Sequence, residues 1–215
     1  MRGSNKAVVY KEQPMFVEQI KAGEMANFSY ILACESCSRA AVIDPDGEAE
    51  RLLARIEEQG LQLEYILCTH FHPDHTLEAG DLRAKTGAEV AMHEADVPYY
   101  EGTVDLTLHD GDDIYIGDEI RIRVMHTPGH TPGGVCFATD GRLFTGDTLF
   151  VGDSGRTDMP YGHRPSLGAS IRKLMELPEE TIVLPGHDYG PTPTSTLRQE
   201  MRHNINAKEY GFYKP

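Results

Sequence analysis

The sequence predicts an α+β protein made of two sheets packed face to face, with helices on the outside. Strand-like and helical runs fall into two halves of similar size, and each half contributes both kinds of element. Apolar residues alternate within the strand-like runs, as in a strand that buries one face, and recur at helical spacing between them. A hydrophobic content of 40% supplies the apolar surface that such layers must bury.

Taken in order, residues 14–20 and 27–34 are strand-like, with a turn at Gly23, and Arg39 to Ile43 is a third short strand. Asp44-Pro45-Asp46-Gly47 then reads as a strong turn. Leu52, Leu53 and Ile56 recur on one face between Glu48 and Gln59, an amphipathic helix that Gly60 terminates. A buried strand at 64–68 leads into a cluster of histidines, and Thr76 to Thr86 reads as one helix stopped by Gly87. Glu89 to Met92 is a short strand and Glu94 to Tyr100 a helical turn. From Leu106 onward the pattern becomes a second, antiparallel sheet, with strands at 113–116, 120–125, 135–138 and 143–145. Helix returns at Ser166 to Met175, a strand at Thr181 to Leu184, and a last helix spans about Thr194 to Lys208. No repeat or low-complexity stretch interrupts residues 1–215, which read as a single domain.

The net charge of −14 argues against broad contact with nucleic acid, which needs a basic surface. Met1 to Phe16 has no apolar core like that of a signal peptide, and no run is long enough to span a membrane, so a cytoplasmic protein is expected. Of the four cysteines only Cys34 and Cys37 lie close together, and they read as ordinary reduced thiols. A homo-oligomer is left open.

The chemistry concentrates where the strand at 64–68 ends. Three histidines and an aspartate, His70, His72, Asp74 and His75, occupy six positions there. Burying them is costly without a partner, and a divalent cation is the natural one. Imidazole with carboxylate suits zinc, iron or manganese rather than calcium. Three further residues share the same grammar of strand, tight turn and donor: His130 in a Gly- and Pro-rich loop, Asp147 after Thr145-Gly146, and His187 after Pro185-Gly186. Asp44, at the end of the third strand, is a candidate hydrogen-bond partner for a ligand histidine. His126 reads as a support for the His130 loop. His93, His109, His163 and His203 read as structural, and Tyr99, Tyr100 and Tyr161 as packing rather than substrate contacts, although Tyr161 falls near the expected mouth of the site.

His70-x-His72-x-Asp74-His75, followed by His130, Asp147 and His187, resembles the metallo-β-lactamase superfamily. The resemblance covers nearly the whole chain and implies a four-layer αββα sandwich with two metal ions at one edge. It assigns His70, His72 and His130 to one metal and Asp74, His75 and His187 to the other, with Asp147 bridging them. Phe144-Thr145-Gly146-Asp147-Thr148-Leu149-Phe150 and Pro185-Gly186-His187-Asp188-Tyr189 are similar to glyoxalase II, the hydroxyacylglutathione hydrolase. That likeness implies hydrolysis of a thioester by a hydroxide bridging two zinc ions (iron or manganese being acceptable to the same ligands), with Asp74 orienting the nucleophile. Arg156 and Tyr189 fall where the family holds its small thiol-derived substrate, although a salt bridge to Asp153 or Asp158 is the plainer role for Arg156. The C-terminal helical substrate domain of long glyoxalase II has no counterpart here.

Gly155-Arg156-Thr157-Asp158 and the tail from Ser195 to Asn204 also resemble persulfide dioxygenases. In that alternative a single iron would sit on His70, His130 and Asp147, and His72, Asp74, His75 and His187 would support it from outside. Gly186 favours the hydrolase, since the dioxygenases tend to carry alanine there. A lactonase on the same metals and a non-catalytic binding module complete the alternatives.

Overall fold

The computed structural model describes residues 15–215 except Glu48 and Asp118. The leader reading up to Pro14, the strand position at Pro14 and the helix position at Glu48 lie outside the described residues.

Two six-stranded mixed sheets face each other. The first has the order β1 (Met15–Ala22), β2 (Asn27–Cys34), β3 (Arg39–Ile43), β4 (Gln62–Leu67), β5 (Glu89–His93) and β6 (Leu106–Leu108). Its first three strands pair antiparallel and β3 to β6 pair parallel. The second runs from β7 (Asp113–Ile116) through β8 (Ile120–His126), β9 (Val135–Thr139), β10 (Arg142–Gly146) and β11 (Ile182–Pro185) to β12 (Ser195–Thr196). Here β10 and β11 are parallel and the other pairs antiparallel.

Strand periodicity sorts β2 between two cores. Phe28, Tyr30, Leu32 and Cys34 point between the sheets, against Ile114, Ile122, Val124, Phe137 and Phe144. Ile31 and Ala33 point outward, into a layer with α1 (Ala49–Glu58) and α3 (Ala79–Thr86). On the far side, α4 (Arg164–Leu174), α5 (Leu197–His203) and α6 (Ala207–Tyr210) pack on Cys136, Leu143 and Val183. The architecture is therefore the four-layer αββα sandwich.

Three expectations need correction. Leu106–Leu108 joins the first sheet, parallel to β5, and the second sheet begins only at Asp113. The single helix expected over Thr76 to Thr86 is two: α2 (Pro73–Thr76), with proline in its first turn, and α3, separated by Leu77 and Glu78. Asp74 and His75 thus lie inside a first turn rather than before a helix. The last helix also breaks. Thr196 and Gln199 form a reciprocal capping box that starts α5 at Leu197, and the chain leaves helix at Asn204 before α6 begins.

Parallel pairing directs β3, β4 and β5 to end at one edge of their sheet, and β10 and β11 likewise. Backbone bonds join the two edges: Phe28 N–H donates to Gly186 O at 2.8 Å, and Val135 N–H to Thr69 O at 2.9 Å. Loops that follow six strands meet there, those after β3, β4, β5, β8, β10 and β11.

Candidate metal centre

The structure brings all seven candidate donors to this common edge, in two groups. His70, His72 and His130 form one and Asp74, His75 and His187 the other; donor atoms within each lie no more than 4.8 Å apart. Asp147 stands between them. Its Oδ2 is 3.4 Å from His130 Nε2, and its Oδ1 is 3.3 Å from both His75 Nε2 and His187 Nε2. Asp74 Oδ2 lies 3.5 Å from each of the same two nitrogens.

The outer nitrogen of each of four histidines is tied down, which aims its inner nitrogen into the centre. His130 Nδ1 donates to Arg156 O at 2.7 Å and His187 Nδ1 to Met25 O at 3.0 Å. His75 Nδ1 donates to Asp44 Oδ2 at 2.9 Å. His70 Nδ1 lies 3.0 Å from Thr69 Oγ1, which itself donates to Asp44 Oδ2 at 2.7 Å. Asp44 therefore orients a histidine of each group, one directly and one through Thr69. It also accepts the Thr69 backbone N–H at 2.7 Å, and it does so from a left-handed backbone conformation with φ of 49°.

The donors fit a pair of divalent cations. His70 Nε2 and Asp147 Oδ1 are buried with no hydrogen-bond partner, a costly state for a polar atom unless something else engages it. His75 Nε2 and His187 Nε2 face each other at 3.2 Å. That is close to the edge of a tetrahedron with bonds of about 2.0–2.1 Å, roughly 3.3 Å. Burial, reinforced by His75, holds His70 well below the usual imidazole range; burial and then His130 hold His72 at about 4. Both keep the free lone pair that a cation requires. Burial also disfavours charge on His75, but Asp147 and then Asp44 outweigh it and raise that imidazole. Close approach explains one glycine: a Cβ on Gly186 would lie 2.8 Å from both Asp147 Oδ1 and His75 Cε1.

Arg156 and Tyr189 sit at opposite sides of the centre. The exposed Arg156 guanidinium pairs with Asp158, at 2.7 Å from Nε to Oδ1, while its carbonyl holds His130. Tyr189 is about half exposed and stacks on His187, with ring centroids 4.6 Å apart. His126 donates Nε2–H to Pro132 O at 2.9 Å and stacks on His93 at 4.0 Å, bracing the His130 loop.

Sequence reasoning missed Asp96. Its fully buried carboxylate accepts Phe71 N–H at 3.1 Å, Thr131 Oγ1–H at 2.8 Å and Gly133 N–H at 2.5 Å. It thereby joins the loop of His70 and His72 to the loop of His130. A Cβ on Gly133 would come within 2.7 Å of Asp96 Oδ1, so the contact requires glycine. A signal was present: Asp96 follows β5, whose end lies beside that of β4, in the same strand, turn and donor order.

Asp44→Asn keeps an acceptor and a residue type that tolerates left-handed backbone. It removes the charge that orients His75 and is expected to weaken metal binding about 10–100-fold. Competition with a chelating indicator measures this, and unchanged affinity would reduce Asp44 to a turn residue.

A profile of the metallo-beta-lactamase superfamily matches residues 22–187. The chain is 38% identical over 191 residues to hydroxyacylglutathione hydrolase GloC of Haemophilus influenzae, covering 79% of this chain and 88% of that one. Its fold matches the crystal structure of ETHE1 from Myxococcus xanthus with a TM-score of 0.83 at 32% identity, over 93% of this chain and 88% of the other. It also matches that of TTHA1623 in a di-iron-bound form with a TM-score of 0.77 at 32% identity, over 87% and 98% respectively. Family pattern, fold and donor geometry agree, and the chain belongs to the metallo-beta-lactamase superfamily of metal-dependent enzymes.

Proposed function

We propose that the protein is a thioester hydrolase of the glyoxalase II type, acting on a small thiol-derived substrate with two bound metals. The observation that carries this reading is the division of Asp147, with one carboxylate oxygen near each histidine group. His70, His72 and His130 would hold one cation and Asp74, His75 and His187 the other, and a carboxylate placed like that of Asp147 would be available to both. When bound, such a pair supplies Lewis-acid polarisation of an acyl carbonyl and lowers the pKa of water toward about 7.

The chain's own groups do the rest. Asp74 has a quarter of its side chain exposed, and Asn27 Nδ2 donates to its Oδ2 at 3.1 Å. Its carboxylate is positioned to orient the attacking water from the open side. Tyr189 walls the second group, and Arg156 can exchange Asp158 for a substrate carboxylate. A thiolate leaves without a general acid because a thiol pKa of about 8.5 makes it a stable anion. The identity to GloC supports the thioester, and the four unpaired cysteines suit a reducing cytoplasm. Among the described residues no helix is long and apolar enough to cross a membrane.

The second reading is a mononuclear iron persulfide dioxygenase on His70, His130 and Asp147, and the likeness to ETHE1 favours it. Metal analysis of protein purified without added metal, beside a thioester assay, separates the two. We expect two metals per chain and hydrolysis of S-lactoylglutathione. One iron per chain, with oxygen consumed in the presence of a persulfide, would overturn the hydrolase.

A further inference from the structure

Beside the metal centre, on the side of His72, stands a group of aromatic rings that the mechanism leaves unused. Phe71 packs on His72 with ring centroids 4.7 Å apart. Tyr99 lies 5.2 Å from Phe71, and Tyr161 lies 4.3 Å from Tyr99 and 6.3 Å from Phe71. Tyr99 is 38% and Tyr161 54% exposed, so the rings present an open face continuous with the half-buried imidazole of His72.

Tyr161 holds its place against its own backbone preference. Met159-Pro160-Tyr161-Gly162 is a tight turn closed by Gly162 N–H donating to Met159 O at 3.0 Å. Proline second and a positive φ third describe a type II turn, whose third position suits glycine or asparagine. Here that position carries tyrosine at φ of 70°. A bulky residue in this conformation is strained, and such strain concentrates where a side chain is used. The neighbouring Gly162 could not take over the ring, because a Cβ there would lie 2.3 Å from Thr157 O.

We infer that Phe71, Tyr99 and Tyr161 form a subsite for a flat apolar group of the substrate, an aromatic ring or its equivalent. The inference deepens the hydrolase reading by naming an apolar group of its substrate and rests on that reading only for its choice of ester. Aromatic rings prefer edge-to-face or offset contacts at 4.5–7 Å, and a substrate ring entering beside His72 meets two exposed tyrosines with that spacing available. A small acyl group such as acetyl would leave the same face in water.

The probes are phenylacetate and acetate, whose carboxylates are alike and whose apolar ends differ by one ring. Their dissociation constants for metal-loaded protein are measured by ligand-observed NMR. Wild type is expected to bind phenylacetate at least about tenfold more tightly, the scale of a good aromatic contact. Tyr161→Gly and Tyr161→Asn both suit the turn, so each is expected to retain the metal and melt no lower than wild type while the preference falls to near one. A wild-type preference below tenfold, or one that ring removal does not move, overturns the subsite. A lower melting temperature in both variants would show that Tyr161 serves packing and would likewise overturn it. In the kinetic arm, kcat/KM is compared for the phenylacetyl and acetyl esters of one thiol. Turnover of neither ester would overturn the thioester reading while the binding preference decides the subsite independently.

Discussion

Asp147→Ala is expected to leave at most one tightly bound metal per chain and to lower kcat/KM for a thioester by about 10²–10³-fold or more. Removing the carboxylate takes away the only acidic group within 3.4 Å of both donor groups among the described residues. It leaves His75, His187 and His130 facing one another across a buried space, with Asp74, on the side of the second group, the one carboxylate that remains among the seven donors. Breaking such a buried pairing costs about 3–5 kcal/mol, and each 1.4 kcal/mol is a factor of about ten. Without metal, the carboxylate also sustains the folded centre. Burial opposes its charge, but His75 and then His187 hold it well below the usual carboxylate range, so the two sides stabilise each other. Metal analysis and single-substrate kinetics on one preparation test the result. Two metals retained with a rate within tenfold of wild type would show that the two donor groups work without a shared ligand.

The donors were legible because each obeys a local rule. His70, His130, Asp147 and His187 all follow an apolar strand, the last three through turns containing Gly or Pro. β3 to β5 and β10 with β11 run parallel, and β8, two antiparallel steps from β10, runs the same way, so these ends share one edge. Their partners were harder to see. Asp44 could be suspected from its place after β3, but its path to His70 runs through Thr69, a residue with no signal of its own. The expected single helix over Thr76 to Thr86 failed because periodicity registers which residues are apolar, not whether the backbone turns between them. Leu106–Leu108 has only three residues, too few for alternation to assign it to either sheet, and its neighbour β5 decides the matter. The positive φ of Tyr161 has no signature in the sequence, since proline before it fits several kinds of turn.

Asp96→Ala tests whether the two loops of the first donor group are held by one carboxylate. Among the described residues, Phe71 N–H and Gly133 N–H bond to no acceptor but Asp96, and the Thr131 hydroxyl can rotate to another. Each buried donor left unsatisfied costs about 1–3 kcal/mol, so a loss of about 3 kcal/mol is expected after water fills part of the gap. For a domain of this size that is roughly 6–12 °C in Tm. Burial raises the Asp96 carboxyl above its usual range despite the three donors that lower it, so the group is held at a cost that only its bonds offset. Asp96→Asn keeps one acceptor but turns an amide N–H toward at least one donor, and is expected to fall between wild type and alanine. The effect on metal should be uneven. His70 and His72 flank Phe71 and His130 precedes Thr131, so the first donor group loosens, whereas Asp74, His75 and His187 keep their own supports in Asn27, Asp44 and Met25. Loss of the first metal before the second in a chelator titration, together with the lower Tm, is the expected pattern. Equal loss of both metals would show that Asp96 supports the fold as a whole and not the loops of one donor group.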